Sequence, residues 1–290
     1  MRRTVPLPLV SMRLKLGSHR WVTNEGYLMM KQLRRAMLVG ILALGVVACG
    51  GDGETDAAPK AEGGDVEGEV LVFAAASLTD AFGDIKTAFE EDNPDAEVQL
   101  NFGGSSALRE QILSGAPADV FASANESNMA DVVDADEVAG EPQIFVTNEL
   151  QIAVPAGNPG KVKGLDDFAN DDLLIGLCAV EVPCGDFARE ALEGVGVEPA
   201  IDTNEPDVRA LLTKIGSDEL DAGIVYVSDV TSAGDRVEGI DIPAADNVVA
   251  EYPIAQLTGA PNEDGAKSFK EFVLSDEGQE ILTGYGFGTP

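Results

Sequence analysis

The stretch Val70-Leu-Val-Phe-Ala-Ala-Ala-Ser-Leu-Thr-Asp80 predicts the architecture of this chain, together with its counterpart Asn101-Phe-Gly-Gly-Ser-Ser-Ala107. Each is a short apolar segment that runs into small, hydroxyl-bearing residues and then into a helical pattern. A helix that starts directly after a strand leaves free backbone N–H groups at its first turn, and this arrangement binds anions. Two such turns in one domain predict a protein that holds a small oxyanion.

The first half of the chain after Glu69 alternates between strand and helix patterns. We expect strands at 69–75, 96–102 and 119–122, and helices at 78–91, from Gly103 to about 113, and at 126–133. The order βαβαβα predicts a parallel, doubly wound sheet with right-handed crossovers.

A second α/β run begins at Glu149 and ends in the apolar strand pattern of 222–227. The predicted fold is therefore α/β, with two doubly wound lobes. Residues 69–148 and 229–290 are expected to form lobe 1, and residues 149–228 lobe 2. Two crossings between the lobes make a hinge with a cleft, and clefts of this kind hold ligands.

The charge of the chain is strongly asymmetric. From Gly50 onward, 11 Lys+Arg face 50 Asp+Glu, a balance of −39. This excludes nucleic acid as a partner, because no basic surface neutralises phosphates. His19 is the only histidine and precedes the predicted mature protein, so no imidazole is left for catalysis or for a metal site.

A targeting segment precedes the acidic part of the chain. A basic segment at 31–35 is followed by a 13-residue apolar run at 36–48, which is typical of a signal peptide and short for a transmembrane helix. The run ends in Val46-Val-Ala-Cys49-Gly, which resembles a bacterial lipobox and implies acylation of Cys49. The alternative is ordinary signal cleavage beside an incidental cysteine.

These features divide the front of the chain into two predicted parts. Residues 1–49 are expected to be a signal and lipoprotein segment, in which Met30 is a better start than Met1 and residues 1–29 an over-long extension. Residues 50–68, rich in Gly, Asp, Glu and Ala, are expected to be a flexible acidic tether to the membrane. Cys178 and Cys184 remain, and an exported compartment permits a disulfide between them. A zinc site would need further ligands, and no histidine is available.

Seven segments of the chain resemble successive motifs of the periplasmic molybdate-binding (ModA) family of ABC importers. They are Val72-Phe-Ala-Ala-Ala-Ser-Leu-Thr-Asp-Ala-Phe82, Phe102-Gly-Gly-Ser-Ser-Ala-Leu108, Ser114-Gly-Ala-Pro-Ala-Asp-Val-Phe121, Val182-Pro-Cys-Gly185, Asp207-Val-Arg209, Gly223-Ile-Val-Tyr-Val-Ser-Asp229 and Tyr285-Gly-Phe287. The resemblance covers about residues 69–288 and implies the periplasmic-binding-protein type II fold. It also implies an extracytoplasmic, monomeric protein that needs no cofactor and passes molybdate or tungstate to an ABC permease.

The resemblance further implies an oxyanion site made only of neutral donors. Lobe 1 would contribute Ser77 and Ser105, each through its hydroxyl and backbone N–H. Lobe 2 would contribute the backbone N–H groups of Cys184 and Val208 and the hydroxyl of Tyr226. Cys184 replaces a small alanine expected at that position, which a main-chain donor tolerates. Ser106 is a neighbouring, weaker candidate.

Each of these residues also has an ordinary structural explanation. Serines at strand-to-helix turns are commonly N-caps, and a tyrosine that ends a buried strand is commonly part of the core. Arg109 and Arg209, the obvious cations for an anion site, are interpreted as members of structural ion pairs.

Three functions remain in competition at this point. The first is a lipid-anchored receptor for molybdate or tungstate, without catalytic activity. The second is a receptor for another tetrahedral oxyanion, such as sulfate, which neutral donors can also hold. The third is a secreted hydrolase with Ser77 or Ser105 as nucleophile. It is disfavoured because histidine is absent, lysine is scarce, and the serines lack a Gly-x-Ser-x-Gly turn.

Overall fold

The computed structural model describes residues 66–290. The predicted signal segment with Cys49 and most of the predicted tether lie outside the described residues. The strands are β1 Glu67–Ala75, β2 Asp95–Gly103, β3 Val120–Ala122, β4 Gln143–Pro155, β5 Ile175–Cys178, β6 Ile201–Glu205, β7 Ala222–Tyr226, β8 Val237–Asp241 and β9 Val249–Gln256. The helices are α1 Thr79–Asp92, α2 Ser105–Leu113, α3 Glu126–Asp134, α4 Pro183–Gly194, α5 Val208–Gly216, α6 Val227–Ala233, α7 Glu263–Leu274 and α8 Asp276–Gly284. Short 3-10 turns occupy Ala76–Leu78, Leu165–Ala169 and Gly234–Arg236.

The sheet of lobe 1 has the strand order β2-β1-β3-β9-β4. β1 pairs in parallel with β2 and β3, as the βαβαβα pattern predicts, whereas β9 joins antiparallel to both β3 and β4. The sheet is therefore mixed and not wholly parallel. β1 itself begins at Glu67, so the last two residues of the predicted tether, Glu67 and Gly68, belong to this strand.

Helices cover both faces of the lobe 1 sheet, because β1 is apolar on both sides. Val72 belongs to the core that also contains Phe82 of α1 and Phe269 of α7, whose rings meet edge to face with centroids 6.0 Å apart. Phe73, the next residue, belongs to a separate core with side chains from α2 and α3, including Leu108. Alternate residues of one strand thus reach opposite helical layers, as a doubly wound lobe requires.

Lobe 2 is built on the second half of β4. From Leu150 onward, β4 pairs antiparallel with β7 on one side and with β8 on the other, and β5 and β6 continue the sheet beyond β7. In β4, Glu149 is the last residue paired with β9 and Leu150 the first paired with β7. A single 13-residue strand therefore forms the first crossing between the lobes, within one residue of the predicted boundary.

The second crossing differs from the prediction. Residues 229–290 were expected to return to lobe 1 together, but β8 pairs with Gln151–Pro155 in the sheet of lobe 2, and α6 packs on β4 and β8. The chain re-enters lobe 1 only at β9. A five-residue strand pattern does not indicate which of two sheets it joins, so the sequence left this boundary undetermined.

The two crossings lie side by side and are tied by one side chain. Asn247, just before β9, accepts a hydrogen bond from the Leu150 N–H at 3.1 Å and donates one to the Leu150 carbonyl at 2.9 Å. The hinge therefore consists of two adjacent crossings that are joined by hydrogen bonds. The two lobes extend from it on either side of one cleft. No helix among residues 66–290 has the length and apolarity needed to cross a membrane.

Candidate functional site

A cavity of about 10 Å³ lies between the two lobes. It is lined by all five residues that the sequence proposed as oxyanion ligands, which are Ser77, Ser105, Cys184, Val208 and Tyr226. Ser106, the weaker candidate, is buried but does not line it. A space of this size is about that of a single water molecule and is far below the volume of drug-sized organic ligands.

Ser77 lies in the 3-10 turn between β1 and α1, where the apolar strand ends at the cleft. Its Oγ is 3.0 Å from the hydroxyl of Tyr252, a residue of β9 that is completely buried. The amide of Asn148, whose oxygen accepts from the Glu149 N–H, points its nitrogen at the same Tyr252 oxygen at 3.4 Å. Either hydroxyl can donate in the contact between Ser77 and Tyr252. When Tyr252 donates, the Ser77 proton is free for a ligand.

Ser105 is the first residue of α2 and follows Gly104, which is the N-cap. Its Oγ accepts a hydrogen bond from the Ala124 N–H at 3.0 Å, and its side chain is almost fully buried. It is not a side-chain N-cap of its own helix, so the ordinary explanation for this serine does not apply. With its oxygen occupied by a donor, Ser105 has its hydroxyl proton left to donate.

Lobe 2 presents two further helix N-termini to the same cavity. Val208 is the first residue of α5, whose N-cap Asp207 accepts from the Ala210 N–H at 2.8 Å. Cys184 is the second residue of α4, which starts with Pro183. N–H groups at these positions have no partner within the helix, and each helix start carries about half a positive charge.

A disulfide fixes the position of Cys184. It joins Cys184 to Cys178, the last residue of β5, with Cα atoms 5.8 Å apart, so the predicted pairing is present. The start of α4 is thereby attached covalently to the central part of the lobe 2 sheet.

Tyr226 ends β7, and its buried hydroxyl makes no hydrogen bond of normal geometry with any of residues 66–290. Its ring meets that of Tyr252 edge to face at 5.9 Å. Burial, and then the neighbouring Tyr252 and Asp229, raise the pKa of Tyr226 well above its ordinary value. The hydroxyl therefore keeps its proton and remains a donor. An unpaired buried hydroxyl costs free energy, so its persistence beside the cavity points to a ligand as its missing partner.

The positive charge in the cavity lining comes from helix dipoles, and Asp207 also belongs to this lining. No Lys or Arg is among the residues that line it. Arg209 is paired with Asp80 at 2.8 Å, and Arg109 with Asp131 and Glu110 at 2.8 and 2.6 Å, which confirms both as structural ion pairs. Four strand-to-helix turns, two from each lobe, line the cavity, and helix starts of this kind suit an anion that carries no proton to donate.

The buried carboxylate of Asp229 lies close to the cavity. One of its oxygens accepts from the Tyr226 N–H at 3.0 Å, and the other has no hydrogen-bond partner among residues 66–290. Burial raises the pKa of Asp229 to about 7, although the hydrogen bond from Tyr226 and the charge of Arg209 lower it.

The hydrogen-bond partners of the two serines are a tyrosine hydroxyl and a backbone N–H. Within residues 66–290, Ser77 contacts the hydroxyl of Tyr252, Ser105 contacts a backbone N–H, and neither contacts a base. The described residues also contain no group of three or more His, Cys, Asp or Glu side chains placed to hold a metal ion.

Sequence reasoning missed four residues that shape the site: Asn148, Tyr252, Gly104 and Asp229. Asp229 is the last residue of the recognised motif Gly223–Asp229, but the sequence pattern does not indicate that its side chain is buried. Asn148 and Tyr252 come from strands distant in the chain from Ser77. Tyr252 contacts Ser77, and Asn148 contacts Tyr252, only in the folded protein.

Comparison with known proteins agrees with this geometry. Residues 70–288 match the family model described as bacterial extracellular solute-binding protein. The molybdate-binding protein ModA of Mycobacterium tuberculosis strain H37Rv is 36% identical over 260 residues, which cover 89% of this chain and 98% of the relative. The chain belongs to the ModA family of bacterial extracellular solute-binding proteins. The Escherichia coli K12 member of the ModA family is also 36% identical, over 76% of this chain and 89% of its own.

Solved structures share the fold of this ModA-family chain. The substrate-binding domain of a putative molybdenum ABC transporter from Clostridium difficile is 28% identical, with a TM-score of 0.59, over 77% of this chain and 99% of that one. The sulfate-binding protein SubI from M. tuberculosis has a TM-score of 0.67 at 18% identity, over 76% of this chain and 86% of its own. At that identity SubI shows the fold alone, which is that of periplasmic binding proteins.

Proposed function

We propose that this protein captures molybdate, or the closely similar tungstate, between its two lobes and delivers it to the membrane subunits of an ABC importer. The observation that carries the proposal is the convergence of Ser77, Ser105, Cys184, Val208 and Tyr226 on one small cavity. The names of the 36%-identical relatives, which describe molybdate binding, support the same ligand.

The proposed donors supply enough energy for tight binding. A hydrogen bond from a neutral donor to a charged oxygen contributes about 1.5–3 kcal/mol. Several together reach the roughly 8–12 kcal/mol of micromolar to nanomolar affinity, after the cost of ordering the lobes. The acidic surface opposes binding only weakly, because salt screens charges beyond about 10 Å while the donors act at contact.

The protein acts by binding and closure and not by covalent chemistry. An oxyanion joined to both lobes stabilises the closed form, and the permease would recognise that form. The protein works outside the cytoplasm as a monomer, and a lipid on Cys49 would hold it to the membrane through residues 50–68.

The anchor has a direct test. Mass spectrometry of the mature N-terminal peptide would detect an acylated Cys49, and Cys49→Ala would release the protein from membranes. A wild-type protein that is found free of lipid contradicts the anchor without affecting the ligand.

Calorimetric titration of the purified protein with molybdate, tungstate, sulfate and phosphate tests the ligand. We expect tight binding of molybdate or tungstate and weak binding of sulfate and phosphate. Tight sulfate binding would transfer the function to the alternative oxyanion. The absence of heat with every oxyanion would reject a receptor of this class.

A further inference from the structure

Gly104 lies in the lining of the cavity and against residues of lobe 2. Its backbone has φ −60° and ψ 136°, a conformation open to any L-residue, so local backbone geometry does not require glycine here. A Cβ at this position would lie 2.7 Å from the Pro206 carbonyl oxygen and 3.3 Å from a methyl of Val182. Both contacts are with lobe 2, whereas Gly104 belongs to lobe 1.

The two contacted residues belong to the segments that present the lobe 2 donors. Val182 precedes α4 and lies two residues before Cys184, and Pro206 lies two residues before Val208. The nearer atom is a backbone carbonyl, which cannot turn aside as a flexible side chain can. A methyl group at residue 104 would therefore displace these segments, and with them the N–H groups that face Ser77 and Ser105.

The steric restriction on a side chain at residue 104 does not extend to the neighbouring Gly103. A Cβ at residue 103 would meet only the Leu108 side chain of its own lobe, at 3.5 and 3.6 Å, which is ordinary van der Waals contact. Of these two adjacent glycines, only Gly104 would bring a Cβ against the opposite lobe.

We propose that Gly104 is a positioning residue that sets how closely the two lobes approach, and through that distance the affinity and size selectivity of the oxyanion cavity. The inference rests on the proposed function, because it takes the described arrangement as the closed form. The cavity is so small that a shift of a few tenths of an ångström changes its dimensions appreciably. Donors from opposite lobes then no longer reach one compact ion together.

The test compares Gly104→Ala with Gly103→Ala and the wild type by calorimetry with molybdate and sulfate, and by small-angle X-ray scattering with and without molybdate. Overpacking of this kind costs an amount equivalent to about a 10- to 100-fold loss of affinity, so we expect that loss for Gly104→Ala. The loss for Gly103→Ala should be clearly smaller. Gly104→Ala should also change the ratio of molybdate to sulfate affinity and reduce the compaction that molybdate induces. The melting temperature without ligand should stay at the wild-type value, because the clash exists only in the closed form.

The outcomes separate the inference from the proposed function. Wild-type protein that binds neither ion rejects the function. Wild-type protein that binds molybdate, with Gly104→Ala binding and compacting equally, overturns only the inference. Equal losses for Gly103→Ala and Gly104→Ala also overturn it, since the effect would then arise within the turn. A Gly104→Ala protein that unfolds without ligand overturns it as well, because the contact would then be needed for folding and not for closure.

Discussion

Nη1 of Arg209 lies 2.8 Å from Oδ2 of Asp80, and this ion pair crosses the cleft from α5 of lobe 2 to α1 of lobe 1. Both side chains are about one-third exposed, at 27% and 37%. Arg209 follows directly after Val208, so a positive charge stands next to the cavity while a carboxylate partly neutralises it. We therefore expect the pair to act on closure and not as a cationic ligand.

A double-mutant cycle of Arg209→Gln and Asp80→Asn tests this role. Exposed ion pairs contribute about 0.2–1 kcal/mol, so each single variant should lose no more than about fivefold in molybdate affinity. The double variant should lose little more than either single one, because the pair acts as a unit. Arg109→Gln, which breaks an ion pair within lobe 1, is the matched control and should bind as the wild type does. A loss of 100-fold for Arg209→Gln that persists without Asp80 would make Arg209 a ligand.

Ser105 and Ser106 form a natural pair for testing the hydroxyl donors. They are adjacent and buried, but only Ser105 lines the cavity. Ser105→Ala should weaken molybdate binding by about 1–3 kcal/mol, because one charge-assisted donor is lost. Ser106→Ala should leave the dissociation constant close to that of the wild type. Equal effects of the two substitutions in calorimetry would contradict the assignment.

The sequence predicted the residues of the cavity more fully than their surroundings. Ser77 and Ser105 were visible as hydroxyls at strand-to-helix turns, which is a local pattern. Cys184 and Val208 were not visible in this way, because a backbone N–H leaves no mark in the side chain, and only the family resemblance singled them out. Tyr252 could not be found, since a buried tyrosine in a strand looks the same whether or not it meets Ser77.

The boundaries between the lobes are also difficult to predict from local sequence. β4 is apolar along most of its length, and the chain gives no local sign that its partner strand changes between Glu149 and Leu150. The predicted boundary lies next to this position because the second α/β pattern begins at Glu149. The second crossing depends on the pairing of β8 with β4, which is a tertiary choice that no residue pattern encodes.

The substitution Tyr226→Phe tests whether the Tyr226 hydroxyl binds the oxyanion or whether the residue serves only in core packing. The hydroxyl has no partner in the described structure, so its removal should leave the free energy of unfolding of the ligand-free protein unchanged or slightly higher. The same substitution should reduce molybdate affinity by about 1–3 kcal/mol. We therefore expect urea unfolding to show no loss of stability, while calorimetry shows a loss of molybdate affinity.

Tyr252→Phe provides the contrasting control for that experiment. The Tyr252 hydroxyl is near both Ser77 and Asn148, so its loss leaves buried polar groups unpaired and should lower stability. A Tyr226→Phe protein that loses stability as Tyr252→Phe does, with unchanged affinity, would assign Tyr226 to the core alone.

The disulfide between Cys178 and Cys184 should influence both stability and binding. It closes a short loop, for which chain entropy predicts about 2 kcal/mol of stabilisation. The Cys178→Ala/Cys184→Ala double variant should therefore melt at a lower temperature. Its molybdate affinity should also fall, because the start of α4 is no longer fixed to β5.

Treatment with dithiothreitol separates the effect of losing the disulfide bond from the effect of replacing the two cysteine side chains. Under mildly denaturing conditions the reductant should destabilise the wild type and leave the double variant unaffected. A double variant with wild-type melting temperature and wild-type dissociation constant would show that the bond is dispensable for this site.

Asp229 should make the stability of the protein depend on pH in a direction unusual for a carboxylate. Burial raises its pKa to about 7, so the folded protein binds a proton that the unfolded chain, with an ordinary pKa near 4, releases. The resulting stabilisation is fully present below about pH 4 and is lost as the pH rises through about 7. Since one pKa unit corresponds to about 1.4 kcal/mol, the total is at most about 4 kcal/mol.

Urea unfolding of wild type and Asp229→Asn at pH 5 and pH 8 measures this effect. The asparagine keeps an oxygen to accept from the Tyr226 N–H but cannot ionise. Relative to this variant, the wild type should therefore lose stability on going from pH 5 to pH 8. Asp171→Asn removes one exposed negative charge from a loop and should follow the wild-type pH dependence. If the two variants show the same pH dependence, the buried carboxylate is not the titrating group, and the acidic surface as a whole sets the response to pH.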